Sequence, residues 1–251
     1  KAKWEKAKER RKEVGIPGTR QQYLPRAQLP ETILCVVGCR EEQQRHHQPG
    51  PGRDLLQQRL RKAGVTRLVV PEAFAYGEQL EKVGVAPVST LPLRRALAAD
   101  LARAVMAGRN LSGGSARLAV AGDQLSGELV RTVTELALGN RYVLLDVPYG
   151  GDTLANQLRR EYGVSLLLSP TRQQMEEADV LVLFAARTDL RRRDPAVLRL
   201  YDEAAPLPPL LLPPVLEGQM PPGLCRPQLL AVLVESGVLR PGQITVGTAE
   251  S

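Results

Sequence analysis

The strongest constraint on the fold lies between residues 117 and 146. Arg117-Leu-Ala-Val-Ala is an apolar run of strand length ending at Gly122; Asp123-Gln-Leu-Ser leads to Gly127 and a helical run to Leu138. Arg141-Tyr-Val-Leu-Leu-Asp146 is then a second strand closed by a carboxylate. Strand, turn, helix and strand in this order join two parallel strands through a crossover helix. The strands read as unbroken apolar runs rather than alternating ones, as strands covered on both faces do.

The same alternation runs along most of the chain. Strands are expected at 33–37, 67–70, 85–88, 117–121, 142–146, 164–168, 180–184 and 244–246, with 210–212 at best an edge strand or loop. Helices are expected at 54–63, 76–83, 92–107, 125–138, 153–162, 171–178, 194–204 and 227–236. The fold class that follows is α/β, with mostly parallel sheet and helices on both faces. An eight-stranded α/β barrel is the competing architecture. Against it, the steps from 67 to 85 and from 164 to 180 leave little room for a barrel helix. Helix ends are marked by Gly139-Asn140, Gly163 and Gly237 at C-termini and by Thr171 at an N-terminus.

In a dinucleotide-binding turn, G-x-G-x-x-G, the first glycine makes the tight turn, the second admits the pyrophosphate and the third lets the helix pack against its strand. Gly122 and Gly127 fill the first and third places, while Gln124 stands in the second. Asp146 ends the next strand, where a carboxylate would accept hydrogen bonds from a ribose. Asp123 in the turn would repel a pyrophosphate, and Glu128 in the first helical turn complements the helix dipole with no ligand. The fingerprint is therefore degraded.

From about 117 to 205 the chain resembles the Rossmann-fold NAD(P)-binding domain superfamily of dehydrogenases, with the long helix at 92–107 leading into it. The resemblance implies cofactor contacts from Gly122, Gln124, Leu125 and Gly127, with Asp146 on the ribose. It places Ala185 and Ala186 on the nicotinamide side, and NAD or NADP as the ligand. The Tyr149-Gly-Gly-Asp152 turn would sit beside any ligand, unless it is simply a loop whose Asp152 caps the next helix.

Three regions are expected: a basic tail and connector at 1–30, a smaller N-terminal α/β part at 31–110, and a Rossmann-like part at 115–251. The small, polar stretch Asn110-Leu-Ser-Gly-Gly-Ser115 supplies the internal boundary.

Other constellations carry less. Cys35, Cys39, His46 and His47 lack the paired, four-ligand spacing of structural zinc, so no metal is assigned. A Cys39–His dyad has no further support. Glu128 stands where a P-loop needs lysine. Arg191-Arg-Arg193 reads as a solvated stretch flanked by Asp189 and Asp194 rather than a phosphate clamp.

The net charge of +7 is concentrated at the start, where residues 1–13 hold seven Lys/Arg and three Glu. The rest of the chain is nearly balanced, and with 4% aromatic residues it offers no evident stacking platform for nucleic acid. The basic N-terminus suits a solvated helix or attachment to a membrane or protein surface. With Lys1 in place of Met, an upstream segment is expected to have been removed or left out. No apolar run approaches the about 20 residues of a membrane-spanning helix. Three cysteines, an odd number, point to a cytoplasmic setting.

Two functions rest on the glycine turn and its carboxylate. One is a Rossmann-like nucleotide-binding or regulatory protein with a degraded fingerprint. The other is an NAD(P)-dependent oxidoreductase acting on a small metabolite in the cleft between the two α/β parts. The missing proton donor favours the first, with activity unassigned. A cytoplasmic domain of a membrane-attached assembly is a third reading, resting on the basic N-terminus alone.

Overall fold

A computed structural model describes residues 64–71, 80–82, 84–192, 194, 196–221 and 223–248. The expected strand at 33–37 and helix at 54–63 lie outside these residues, as does most of the helix at 76–83. In chain order the elements are β1 (Arg67–Leu68), β2 (Ala86–Pro87), α1 (Leu91–Ala96), α2 (Ala98–Gly108), β3 (Arg117–Ala121), α3 (Gly127–Gly139) and β4 (Tyr142–Asp146). They continue with α4 (Gly151–Tyr162), β5 (Leu166–Leu168), α5 (Arg172–Glu176), β6 (Val180–Leu183) and β7 (Val197–Arg199). The last are β8 (Leu210–Leu211), α6 (Pro214–Glu217), α7 (Arg226–Glu235), a 3-10 turn (Pro241–Gln243) and β9 (Thr245–Val246).

The chain divides into two compact units, one of residues 1–88 and 221–238, the other of 89–220 and 239–251. In the first, β1 and β2 pair in parallel, with Leu68, Leu80 and Val85 buried together. α7 joins the same unit through Gln228, whose side chain accepts from the Val70 amide at 3.0 Å, and through Glu235, which pairs with Arg67. Cys225, just before α7, donates its amide to the Val70 carbonyl at 2.8 Å.

The second unit is built on a five-stranded, all-parallel sheet in the order β5-β4-β3-β6-β7. Relabelled from β3 as strand one, this is the order 3-2-1-4-5 of the Rossmann fold. The sheet is open, so the barrel is excluded for this unit. β3 is the central strand, flanked by β4 and β6. Leu118, Ala119, Val120 and Ala121 are all buried, and so are all four residues of β6. Successive side chains point to opposite faces, so both faces are covered. Met175 and Ala178 pack on the face that carries Ala119, Ala121, Leu181 and Leu183. α2 and α3 pack on the other side, against one another and against β6 and β4.

Two expectations are corrected. The stretch 194–204 contains a strand, β7, where a helix was expected. Its Val197 and Leu198 are buried against β6, where they complete the sheet, and this burial outweighs the helix preference of Ala, Leu and Arg. The long helix at 92–107 is two helices that break at Leu97, whose backbone leaves helical geometry (φ −99°, ψ 9°).

Arg94 of α1 is buried, and its guanidinium does structural work. It donates to Thr90 Oγ1 (3.0 Å) and to the carbonyls of Glu203 (2.9 Å) and Ala205 (2.7 Å). The Glu203 carboxylate in turn accepts from the Thr90 amide and hydroxyl at the start of α1. The helix is thereby tied to the segment after β7.

Candidate functional site

In an open parallel sheet, ligands bind outside the carboxyl ends of the strands where the order of connection reverses. Here that point lies between β3 and β6: the chain moves outward from β3 to β4 and β5, then crosses back to β6. Ala121, Asp146 and Leu183 stand level across the sheet, Ala121 pairing with both others. The Gly122 amide donates to the Asp146 carbonyl at 3.1 Å and the Phe184 amide to the Ala121 carbonyl at 2.9 Å. The turn after β3 thus begins held between its two neighbours.

Gly122 leaves β3 and α3 begins at Gly127, as the glycine spacing implies. The work of the two glycines differs from expectation, however. A Cβ at Gly122 would lie 2.5 Å from Leu129 Cδ1, whereas one at Gly127 would meet nothing within 4 Å. Close approach of helix to strand therefore occurs at the first glycine. Ser126 caps α3, its hydroxyl accepting from the Leu129 amide at 3.2 Å. A serine directly before Gly127-Glu128 is the sequence signal for this cap.

Gln124 is exposed on the turn, and its carbonyl accepts from the Ser126 amide. Leu125 folds against the loop after β4: its Cδ2 lies 3.1 Å from where a Cβ on Gly150 would stand. That glycine, at φ +80°, forms the N-terminal boundary of α4, so Asp152 is not the cap. Tyr149 beside it is 85% exposed. Gly122, Leu125 and Asp146 are therefore gathered at one edge of the sheet, with Gln124 and Gly127 on the turn between.

The residue that sequence reasoning passed over is Arg187, in the loop after β6. Its guanidinium forms an ion pair with Asp146. It is also held by Asp189, with Nε on Oδ1 at 2.8 Å and Nη2 on Oδ2 at 2.9 Å. The hydrogen bonds to Asp189 and then Asp146 hold the Arg187 pKa above its ordinary value against the opposing effect of burial. The same contact, acting against burial, draws the Asp189 carboxyl down to about 2. Asp189, two residues on, is the local hint; nothing in the sequence links Arg187 to Asp146.

Arg192, in the basic run, braces the approach to β6: it pairs with Asp194 and donates to the Ala178 carbonyl. Among the described residues no group of His, Cys, Asp and Glu is arranged to hold a metal, and no helix is long and apolar enough to cross a membrane. Cys35, Cys39, His46 and His47 lie outside those residues. A cavity lined by Asn140, Tyr142, Gly163 and Leu167 sits at the amino ends of β4 and β5, the edge opposite the glycine turn.

These features define a Rossmann-type α/β unit with a glycine turn and a carboxylate at the expected strand ends. No protein-family model matches the chain, and no curated protein sequence matches it. Among solved structures it is similar to a D-lactate dehydrogenase from Treponema pallidum (15% identity, TM-score 0.29, 54% of this chain and 46% of that one). It is similar also to the D-lactate dehydrogenase of Escherichia coli (16%, TM-score 0.27, 53% and 48%). A third is L-tryptophan dehydrogenase from Nostoc punctiforme (14%, TM-score 0.28, 53% and 38%). The chain spans less than half the length of each of these three.

Proposed function

We propose that this chain is a nucleotide-binding or regulatory protein whose five-stranded unit takes an adenine dinucleotide, NAD or NADP, at the carboxyl ends of β3 and β4. The observation that carries the reading is the strand order 3-2-1-4-5 with Gly122 at the end of strand one and Asp146 at the end of strand two. Asp146 accepts the ribose hydroxyls. The turn from Gly122 through Gln124 and Leu125 to Gly127 faces the pyrophosphate, aided by the first amides of α3, which are unpaired within any helix. Ala185 and Ala186 follow β6 on the nicotinamide side.

The residues fit such a ligand in part. The tight turn, the capped helix and the strand-end carboxylate are in place, while exposed Gln124 replaces the glycine that gives the closest approach. Bound NAD(P) would supply a hydride acceptor; the chain's own residues bind and orient. The reading includes a cytoplasmic setting, supported by the cysteine count, and attachment through the basic residues 1–13.

Calorimetric titration of the full chain with NAD(H), NADP(H) and adenine nucleotides tests it. Micromolar binding that Asp146→Ala abolishes supports the reading, and no heat with any of them overturns it.

A further inference from the structure

Asp146 ends β4, and Arg187 lies four residues beyond the end of β6, with β3 between them. Neighbouring strands are about 4.8 Å apart, so the two strands that carry the pair are separated by about 10 Å. The ion pair therefore crosses the carboxyl end of β3, the place where a ligand at the switch point would lie. Both side chains are largely shielded, Arg187 at 29% and Asp146 at 26% exposure. Asp189 grips the other side of the guanidinium with two hydrogen bonds, fixing its plane and aiming Nη1 at Asp146. A planar guanidinium held in this two-pronged way loses little further freedom when it makes another bond.

We infer that the Asp146–Arg187 pair is a strap across the switch point, which closes the ribose position to nucleotides and which a ligand must displace. The inference rests on the nucleotide-binding reading above. A ribose needs the Asp146 carboxylate as acceptor, and Arg187 already occupies that carboxylate. Displacement does not strand the arginine, because Asp189 keeps its charge compensated. NAD+ carries no 2′-phosphate for an arginine to bind, so with NAD+ as the probe the removal of Arg187 reads the freed Asp146 acceptor. Arg187 is thus a positioning residue that sets affinity from outside the ligand.

The test is NAD+ binding by the full chain, its Arg187→Ala and Asp189→Asn variants, and Asp146→Ala, at low and high KCl, with amide hydrogen exchange of the free proteins. Arg187→Ala is expected to bind NAD+ more tightly by at least about threefold, the scale of a part-exposed ion pair. Asp189→Asn leaves the displaced guanidinium without its compensating carboxylate, so it is expected to tighten the strap and weaken NAD+ binding. Wild-type affinity rises with salt as the strap is screened, and that of Arg187→Ala does not. Without ligand, exchange at 122–125 and 185–190 is faster in Arg187→Ala than in wild type.

Equal or weaker NAD+ binding by Arg187→Ala overturns the strap while leaving the nucleotide site intact, since wild type still binds and Asp146→Ala does not. Absence of binding by wild type and both strap variants overturns the nucleotide reading and the strap with it. Should Arg187→Ala not fold, Asp189→Asn and the salt dependence decide: affinity unchanged in both contradicts the strap.

Discussion

Gly122 and Leu129 stand so close that a single methyl group cannot be added between them without movement. A Cβ at Gly122 would be 2.5 Å from Leu129 Cδ1, and Leu129 is fully buried. This contact, made where β3 turns toward α3, sets the height of the helix over the sheet and with it the turn that faces the switch point.

Gly122→Ala is therefore expected to destabilise the protein by about 1–2 kcal/mol, because the Leu129 side chain must leave its packed rotamer. Gly127→Ala meets open space at the first helical position and is expected to be neutral or to stabilise by up to about 1 kcal/mol. Urea unfolding of the two variants measures the contrast. The opposite ranking would place the helix–strand contact at the third glycine.

Arg94 is 5% exposed, and burial lowers its pKa despite the nearby charges of Glu203 and Asp202. Arg94→Met removes donors from Thr90 Oγ1 and two carbonyls while keeping the aliphatic stem. A loss of about 2–4 kcal/mol is expected, since the buried acceptors are left unpaired. Thermal or urea unfolding reads it; a loss below about 0.5 kcal/mol would show the cluster is idle.

Asp189 provides a pH test. Its carboxyl is drawn down to about 2 by the Arg187 guanidinium, so its folded value lies below the unfolded one. A depressed carboxyl stabilises the fold above its unfolded pKa, and that contribution fades as the pH falls from about 4 toward about 2. Carbon-13 titration of the side-chain carboxyl is expected to give a midpoint near the lower figure, and Arg187→Ala to return it toward the ordinary aspartate value of about 3.9. An ordinary midpoint in the unaltered protein contradicts the Arg187–Asp189 contact.

At the opposite edge of the sheet, Asp179 fastens the start of β6 to the start of β3. Its amide donates to the Arg117 carbonyl at 2.8 Å, and its carboxylate accepts from the Arg117 amide at 2.8 Å. Asp179→Ala is expected to cost about 1–2 kcal/mol and to speed hydrogen exchange of the Arg117 amide. Asp179→Asn keeps an acceptor oxygen and loses less.

How far the sequence could be read depended on where burial and local preference agree. β3 and β4 are bounded by the residues expected, because each is an unbroken apolar run closed by Gly122 or Asp146. Thr171 is the cap expected of it, with Gln174 completing a capping box. The Gly163 and Gly237 ends, at φ +71° and +73°, were legible for the same local reason. β7 was not, since Asp194-Pro-Ala-Val-Leu-Arg-Leu carries a helix start signal followed by helix-forming residues, and only the sheet's need for a fifth strand decides against it. The break at Leu97 has no Gly or Pro to announce it. Within the site, the glycine turn and Asp146 were visible as spacing. The partner of Asp146 was not, because Arg187 reaches it from another strand's loop, 41 residues away in the chain.

Amide hydrogen exchange of the full chain, with and without saturating NAD+, locates the nucleotide. The expected result is slowed exchange at 122–130 and 146–152, the turn after β3 and the loop after β4. Unchanged exchange there with NAD+, NADP+ and ADP alike, or protection confined to other segments, would contradict a nucleotide site at the carboxyl ends of these strands.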